Sequence, residues 1–197
     1  MPVGELGDLF AELGRHAAGW HAVDPAQVPT LPRRSSLDRT SLLVEELQLD
    51  RREATKAGRA LERAQRLEPV LVHGDLHEGQ LLVTPDAPHR LTAILDWQTA
   101  RVDHPFVEFD LGEWGTALWR GHRADLAELR ERAWDAYAAA RGLPDDLGAV
   151  FEWHHACAHA RKVLGVDAFP VEHGPEVVGT AEEARAAVRR ALLAMPE

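Results

Sequence analysis

Leu6, Leu9, Phe10, Leu13, Ala17 and Trp20 recur at steps of three and four residues, which predicts one apolar stripe on a helix over 5–20. Asp24-Pro25 and the prolines at 29 and 32 then break the chain. Helical texture returns at Asp38, which reads as an N-cap, and runs to Leu67, where Pro69 stops it. Gly58 and the polar run 50–56 mark where that stretch would divide into two helices. The period then changes. Val70-Leu71-Val72, 80–84 and 91–95 are short apolar runs, and Pro85-Asp86-Ala87-Pro88-His89 separates the last two as the turn of a β-hairpin. From Leu111 the pattern is helical again, over 111–120, 123–141, 145–165 and 180–194, with Gly142-Leu143-Pro144 and Gly174-Pro175 as breaks. The expected fold is mainly α with a small β hairpin set into it, as a single domain over 1–197.

Composition narrows the class. The chain has 197 residues, 45% hydrophobic and 27% charged, enough to build a core and too apolar for disorder. No apolar run approaches the roughly 18 residues of a membrane span, and the N-terminus lacks the basic start and apolar stretch of a signal peptide. The single cysteine, Cys157, closes no intramolecular disulfide. A cytoplasmic location is expected. The net charge of −10 argues against nucleic acid or an anionic membrane as partner. Acids concentrate in one segment: Asp75, Glu78, Asp86, Asp96, Asp103, Glu108, Asp110 and Glu113 face only Arg90 and Arg101 between positions 71 and 113. That excess suits a metal ion or a cationic ligand.

The same segment carries the candidate chemistry. Residues 73–80 read His-Gly-Asp-Leu-His-Glu-Gly-Gln, residues 94–97 read Ile-Leu-Asp-Trp, and Asp103-His-Pro and Phe109-Asp-Leu-Gly follow. These linked motifs, in order and at this spacing, resemble the catalytic core of the aminoglycoside phosphotransferase and choline kinase-like family, which shares the protein-kinase fold. The resemblance implies a catalytic segment over 70–113 with a helical remainder. It assigns Asp75 as the catalytic residue that accepts or orients the proton of an attacking hydroxyl, and Gln80 and Asp96 as magnesium ligands. It also gives His73 the bracing of the catalytic loop, Asp103 the ordering of the segment after the metal loop, and Asp110 the acceptance of that loop's backbone N–H groups, alongside an N-cap role for Asp110.

Two departures from the family pattern follow. Position 80 is Gln where the family usually has Asn, giving the same amide oxygen on a longer arm. The family's nucleotide-covering lobe, with its Gly-rich loop and strand lysine, has no counterpart: Gly4-Glu5-Leu6-Gly7 sits on an amphipathic helix, and neither lysine, Lys56 or Lys162, is placed to meet phosphate. The chain therefore reads as a protein-kinase-like C-terminal lobe with the N-terminal lobe absent. The implied function is ATP-dependent phosphoryl transfer, with Mg2+ and ATP as cofactors, to a hydroxyl of a small molecule, a cationic one suiting the acid excess. The alternative is a non-catalytic fragment or pseudokinase binding module. A lobe of this kind exposes an apolar face, which suits a dimer or a missing-lobe partner.

Other candidates rank lower. His154, His155 and His159 with Cys157 suggest zinc, but no HExxH and no second ligand cluster supports it, and structural roles are expected. Cys157 as a nucleophile would need a depressed pKa, and a buried helical cysteine is expected instead. No GxSxG elbow accompanies Ser35, Ser36 or Ser41. Glu108, Glu113 and Asp125 read as solvated surface, or as acids lining a cleft for a cationic substrate.

Overall fold

The computed structural model describes residues 3–109, 126–165 and 180–196. In chain order the elements are α1 (Val3–Trp20), α2 (Ser36–Glu46), α3 (Arg51–Ala64), β1 (Val70–Val72), β2 (Leu81–Val83), β3 (Leu91–Ile94), β4 (Arg101–Asp103), α4 (Leu126–Arg141), α5 (Leu147–Val163) and α6 (Ala181–Ala194), with short 3-10 turns between several of them. They form two compact units, each assembled from two separate stretches: Met1–Arg34 with Pro69–Asp145, and Ser35–Glu68 with Asp146–Glu197.

In the first unit α1 packs against α4. The stripe of Leu6, Phe10, Leu13 and Ala17 is buried, as are Leu129, Ala133, Trp134 and Tyr137 on α4. The two backbones meet at Gly14, where an added Cβ would overlap the carbonyl oxygen of Ala133. Phe106 and Phe109, on the 3-10 turn Pro105–Phe109, complete an aromatic cluster. Their ring centroids lie 5.2 Å from Trp134 and 5.2 Å from Tyr137 respectively. The β insert is two separate antiparallel pairs. β1 pairs with β4 in the register Leu71↔Val102, and β2 pairs with β3, with an irregularity at Leu82/Val83. The outer edge of β4 is covered by the chain at 32–34, through Val102 N–H to the Pro32 carbonyl (2.8 Å) and Arg34 N–H to the Val102 carbonyl (2.9 Å). Leu91 N–H donates to Glu12 Oε2 at 2.9 Å, which fastens the hairpin to α1.

In the second unit α5 packs against α2, α3 and α6. α3 presents only alanines, Ala57, Ala60 and Ala64, on its buried side, so its backbone can approach closely. Lys56 Nζ donates to the carbonyls of Leu193 (3.1 Å) and Met195 (2.7 Å), capping the C-terminal end of α6.

Several details differ from the sequence reading. Asp38 lies in the first turn of α2, and Ser35 occupies the N-cap position. The long helical stretch does divide, at 47–50, where the polar run 50–56 begins and not at Gly58. Gln48 takes a left-handed backbone (φ 49°) there, and Asp50 and Glu53 form a reciprocal capping box that starts α3. Gly58 is tolerated inside α3. β4 was not expected at all. The helix expected over 111–120 and Asp110 lie outside the described residues.

Gly14→Ala should destabilise the chain by about 1–3 kcal/mol in urea unfolding. The overlap there is with backbone, and it outweighs the roughly 1 kcal/mol that alanine gains over glycine in a helix. Gly19→Ala, in α1 but facing open space, should stabilise by up to that gain. Equal effects at the two positions would contradict the packing described.

Candidate functional site

β1 delivers the chain into a tight loop at His73-Gly74-Asp75. Gly74 has φ +84°, and a Cβ there would run into the Arg101 guanidinium and the Thr99 carbonyl, so only glycine fits. Two of the loop's carbonyls are held. Thr99 Oγ1 donates to the His73 carbonyl at 3.0 Å, and Arg101 Nη1 donates to the Gly74 carbonyl at 3.1 Å. Arg101 is itself aimed by Asp103: its Nε donates to Asp103 Oδ2 at 3.0 Å, while Asp103 Oδ1 accepts the His104 N–H at 2.8 Å. Asp103 is buried, so the guanidinium is fixed from behind by a charge-assisted bond.

His73 is buried and joins the two halves of the site. Its Nε2–H donates to the Leu95 carbonyl at 2.7 Å, and its Nδ1 faces the Asp75 N–H at 3.4 Å. The carbonyl assigns the tautomer, because it can only accept. One imidazole thus touches the residue before Asp96 and the backbone of Asp75. The Trp97 ring lies against it, with centroids 4.7 Å apart.

The hairpin returns Asp96 to Gln80. Leu95 N–H donates to the Gln80 carbonyl at 2.8 Å. Asp96 then turns with a left-handed backbone (φ 56°, ψ 67°) into the 3-10 turn Trp97–Thr99. A non-glycine residue in that region carries a cost of roughly 1–2 kcal/mol, which the flanking bonds hold in place. The Asp75 and Asp96 carboxylates are exposed.

The Gln80 carboxamide nitrogen lies 3.4 Å from Asp96 Oδ2 and 3.1 Å from His77 Nε2. The Gly79 N–H donates to His77 Nδ1 at 3.1 Å. A neutral imidazole accepting at Nδ1 carries its proton on Nε2, so the carboxamide nitrogen meets a donor with a donor. Rotated by half a turn, the carboxamide would accept from His77 and set its oxygen beside the Asp96 carboxylate. Two oxygens that close repel each other unless a cation joins them. Ligands on an octahedral dication at about 2.1 Å sit about 3 Å apart. The donor set therefore fits a hard cation that keeps its remaining positions for water or phosphate.

One group at this site was missed in the sequence. Glu108 is neither solvated surface nor the lining of a cleft. It is buried, and its Oε2 accepts from His73 N–H (2.8 Å), Trp20 Nε1–H (3.0 Å) and His21 Nε2 (3.1 Å). Burial alone would push its carboxyl up, but the donors from His21, Trp20 and His73 outweigh this and hold it below the ordinary range. A signal was present: Glu108 sits in Pro-Phe-Val-Glu-Phe, an acid inside an apolar run.

The sequence profile of the phosphotransferase enzyme family matches residues 2–156. The chain belongs to that family. A solved macrolide 2'-phosphotransferase type I superposes on it with a TM-score of 0.52 at 20% identity, covering 100% of this chain and 61% of that one. A Ralstonia eutropha protein provisionally assigned as an aminoglycoside phosphotransferase gives a TM-score of 0.49 at 18% identity, over 98% of this chain and 66% of that one. The chain thus spans less than two thirds of the length of either. Among curated proteins none matches.

Within this phosphotransferase fold the remaining candidates are placed as follows. His154, His155 and Cys157 are buried on α5, and burial pushes the Cys157 thiol up, away from nucleophilic use. Among the described residues no group of three or more His, Cys, Asp or Glu could hold a metal ion, and no helix is long and apolar enough to cross a membrane. Lys56 is engaged at the end of α6. Asp110, Glu113 and Asp125 lie outside the described residues.

Glu108→Gln should cost about 2 kcal/mol near neutral pH, the scale of hydrogen bonds to a charged acceptor. Its carboxylate is favoured in the folded state, so the stability it supplies is complete above its ordinary value near 4.5 and fades as pH falls through the lower folded value. Urea unfolding of wild type and variant between pH 3 and 8 should therefore show a difference that is flat above pH 5 and shrinks in acid. A difference that grows in acid would contradict the assignment.

Proposed function

We propose that the chain transfers a phosphoryl group from magnesium ATP to a hydroxyl of a small molecule. The observation that carries this reading is the pairing of an exposed Asp75 on a rigidly held loop with the Gln80–Asp96 pair at 3.4 Å, in a chain of the phosphotransferase family. Asp96 and Gln80 would hold the magnesium. The ion, when bound, would neutralise charge on the nucleotide phosphates.

The chain's own residues do the rest. Asp75 accepts or orients the proton of the acceptor hydroxyl, and its position is set by Gly74 and by the bonds to the His73 and Gly74 carbonyls. Such placement matters more than base strength in phosphoryl transfer, where catalysis is mainly positioning and electrostatics. His77 presents its Nε2–H to the Gln80 carboxamide and favours the rotation that turns the oxygen toward Asp96. Leu82 and Val83, exposed on β2 directly after Gln80, offer an apolar surface for a nucleobase.

The chain corresponds in this reading to the C-terminal lobe of the protein-kinase-like fold. The acid excess between 71 and 113 favours a cationic acceptor. The macrolide phosphotransferase among the structural neighbours makes macrolides the first class to try.

Phosphoryl transfer from ATP to a panel of macrolides, aminoglycosides and small amino alcohols, followed by 31P NMR, tests the reading. Asp75→Asn should lower kcat by about 100-fold or more and leave the melting temperature unchanged. Transfer that survives Asp75→Asn would remove Asp75 from its role, and no transfer to any acceptor would favour a binding module.

A further inference from the structure

Tyr137 lies about one turn before the end of α4, buried in the first unit. Its hydroxyl is 3.0 Å from His21 Nδ1, and its ring stands edge-on to that imidazole at 5.2 Å. His21 is buried too, and its other nitrogen, Nε2, faces Glu108 Oε2 at 3.1 Å. All the bonds that Glu108 makes among the described residues fall on Oε2, and Oε1 is buried without a partner there. Among the described residues the carboxylate is therefore oriented by its donors on Oε2.

Those donors are not alike. The His73 N–H is fixed by the backbone and the Trp20 N–H by covalent structure. The His21 proton is the movable one, because a neutral imidazole carries it on either nitrogen. On Nδ1 it would leave a bare Nε2 against a buried carboxylate oxygen. A phenol that donates to Nδ1 removes that option. Burial, with Glu108 adding to it and Arg141 opposing, pushes the Tyr137 hydroxyl up to about 12, so it keeps its proton throughout the working range.

We propose that Tyr137 is a positioning residue for the catalytic loop: its hydroxyl donates to His21 Nδ1, which commits the His21 proton to Nε2 and to Glu108, whose carboxylate then holds the His73 N–H. The chain of contacts runs from α4 through the end of α1 to the loop that presents Asp75. The inference rests on reading 73–75 as the loop that carries the phosphoryl-transfer base.

The test uses the full chain without nucleotide. In the wild-type protein, 15N NMR of His21 should show a neutral ring with its proton on Nε2. An imidazolium, or a proton on Nδ1, at neutral pH would overturn the proposal with no substitution needed. In Tyr137→Phe, hydrogen exchange at the His73 and Asp75 amides should quicken by roughly tenfold or more, as for loss of a bond to a charged group, while Leu13 and Ala133, in the α1–α4 contact, keep their rates. A uniform rise at all four amides, or no change at His73, would overturn it.

His21→Gln supplies a control, because its side-chain N–H2 reaches toward Glu108 whatever Tyr137 does. In that background Tyr137→Phe should add little at His73, and an equal effect in both backgrounds would mean that Tyr137 acts by packing. Where transfer is measurable, Tyr137→Phe should lower kcat with KM unchanged. Absence of transfer in the wild type would defeat the functional reading, and the exchange rates would still decide this one.

Discussion

A single buried oxygen, Glu108 Oε2, accepts from the end of α1 through Trp20 and His21 and from the start of the 73–75 loop through His73. An ionised carboxylate without such donors would be expelled from the interior or neutralised. The charge is retained because the three N–H groups are already in place, and each of those groups is in turn fixed by the charge. The helix end and the loop therefore cannot be moved independently. The turn at Gly74 and the position of Asp75 follow directly from that attachment, and Glu108 lies on the same 3-10 turn as Phe106 and Phe109, which pack with Trp134 and Tyr137.

The loop's other restraints work on its carbonyls. Thr99 and Arg101 come from the segment just after Asp96, so the residues that follow one candidate metal ligand hold the loop that carries the candidate base. His73 repeats this link through the Leu95 carbonyl. The two halves of the candidate site, separated in sequence by the β2–β3 hairpin, thus share one set of hydrogen bonds. The frustrated contact at Gln80 stands apart from this rigidity. Its carboxamide can satisfy Asp96 with nitrogen or His77 with oxygen, and a cation between the oxygens reconciles the two. A glutamine in this position, longer than asparagine by one methylene, reaches His77 and Asp96 together.

Much of this was legible in the chain. The three- and four-residue spacing along α1, the short apolar runs of the β insert and the order of the motifs at 73–80 and 94–97 all carry local signals, and local signals are what a sequence displays. What stayed hidden depends on partners far away. β4 is three residues, Arg-Val-Asp, too short to show alternation, and it exists because β1 and residues 32–34 flank it. The helix break near Asp50 depends on a capping box and a left-handed Gln48, whereas Gly58 was the more visible breaker. Glu108 looked like surface because a lone acid usually is; its donors are 35, 87 and 88 residues back along the chain.

The central claim is that the face formed by Asp75, Gln80 and Asp96 takes a magnesium nucleotide. Thermal unfolding of the purified chain with magnesium and ATP, beside Asp96→Ala, tests it most directly. At about 100 times its Kd a ligand adds roughly 2.7 kcal/mol, which for a chain of this length is a melting shift of about 5–11 °C. The account predicts that shift in the wild type and its loss in Asp96→Ala. An equal shift in both proteins, or none in the wild type at millimolar magnesium ATP, would contradict it.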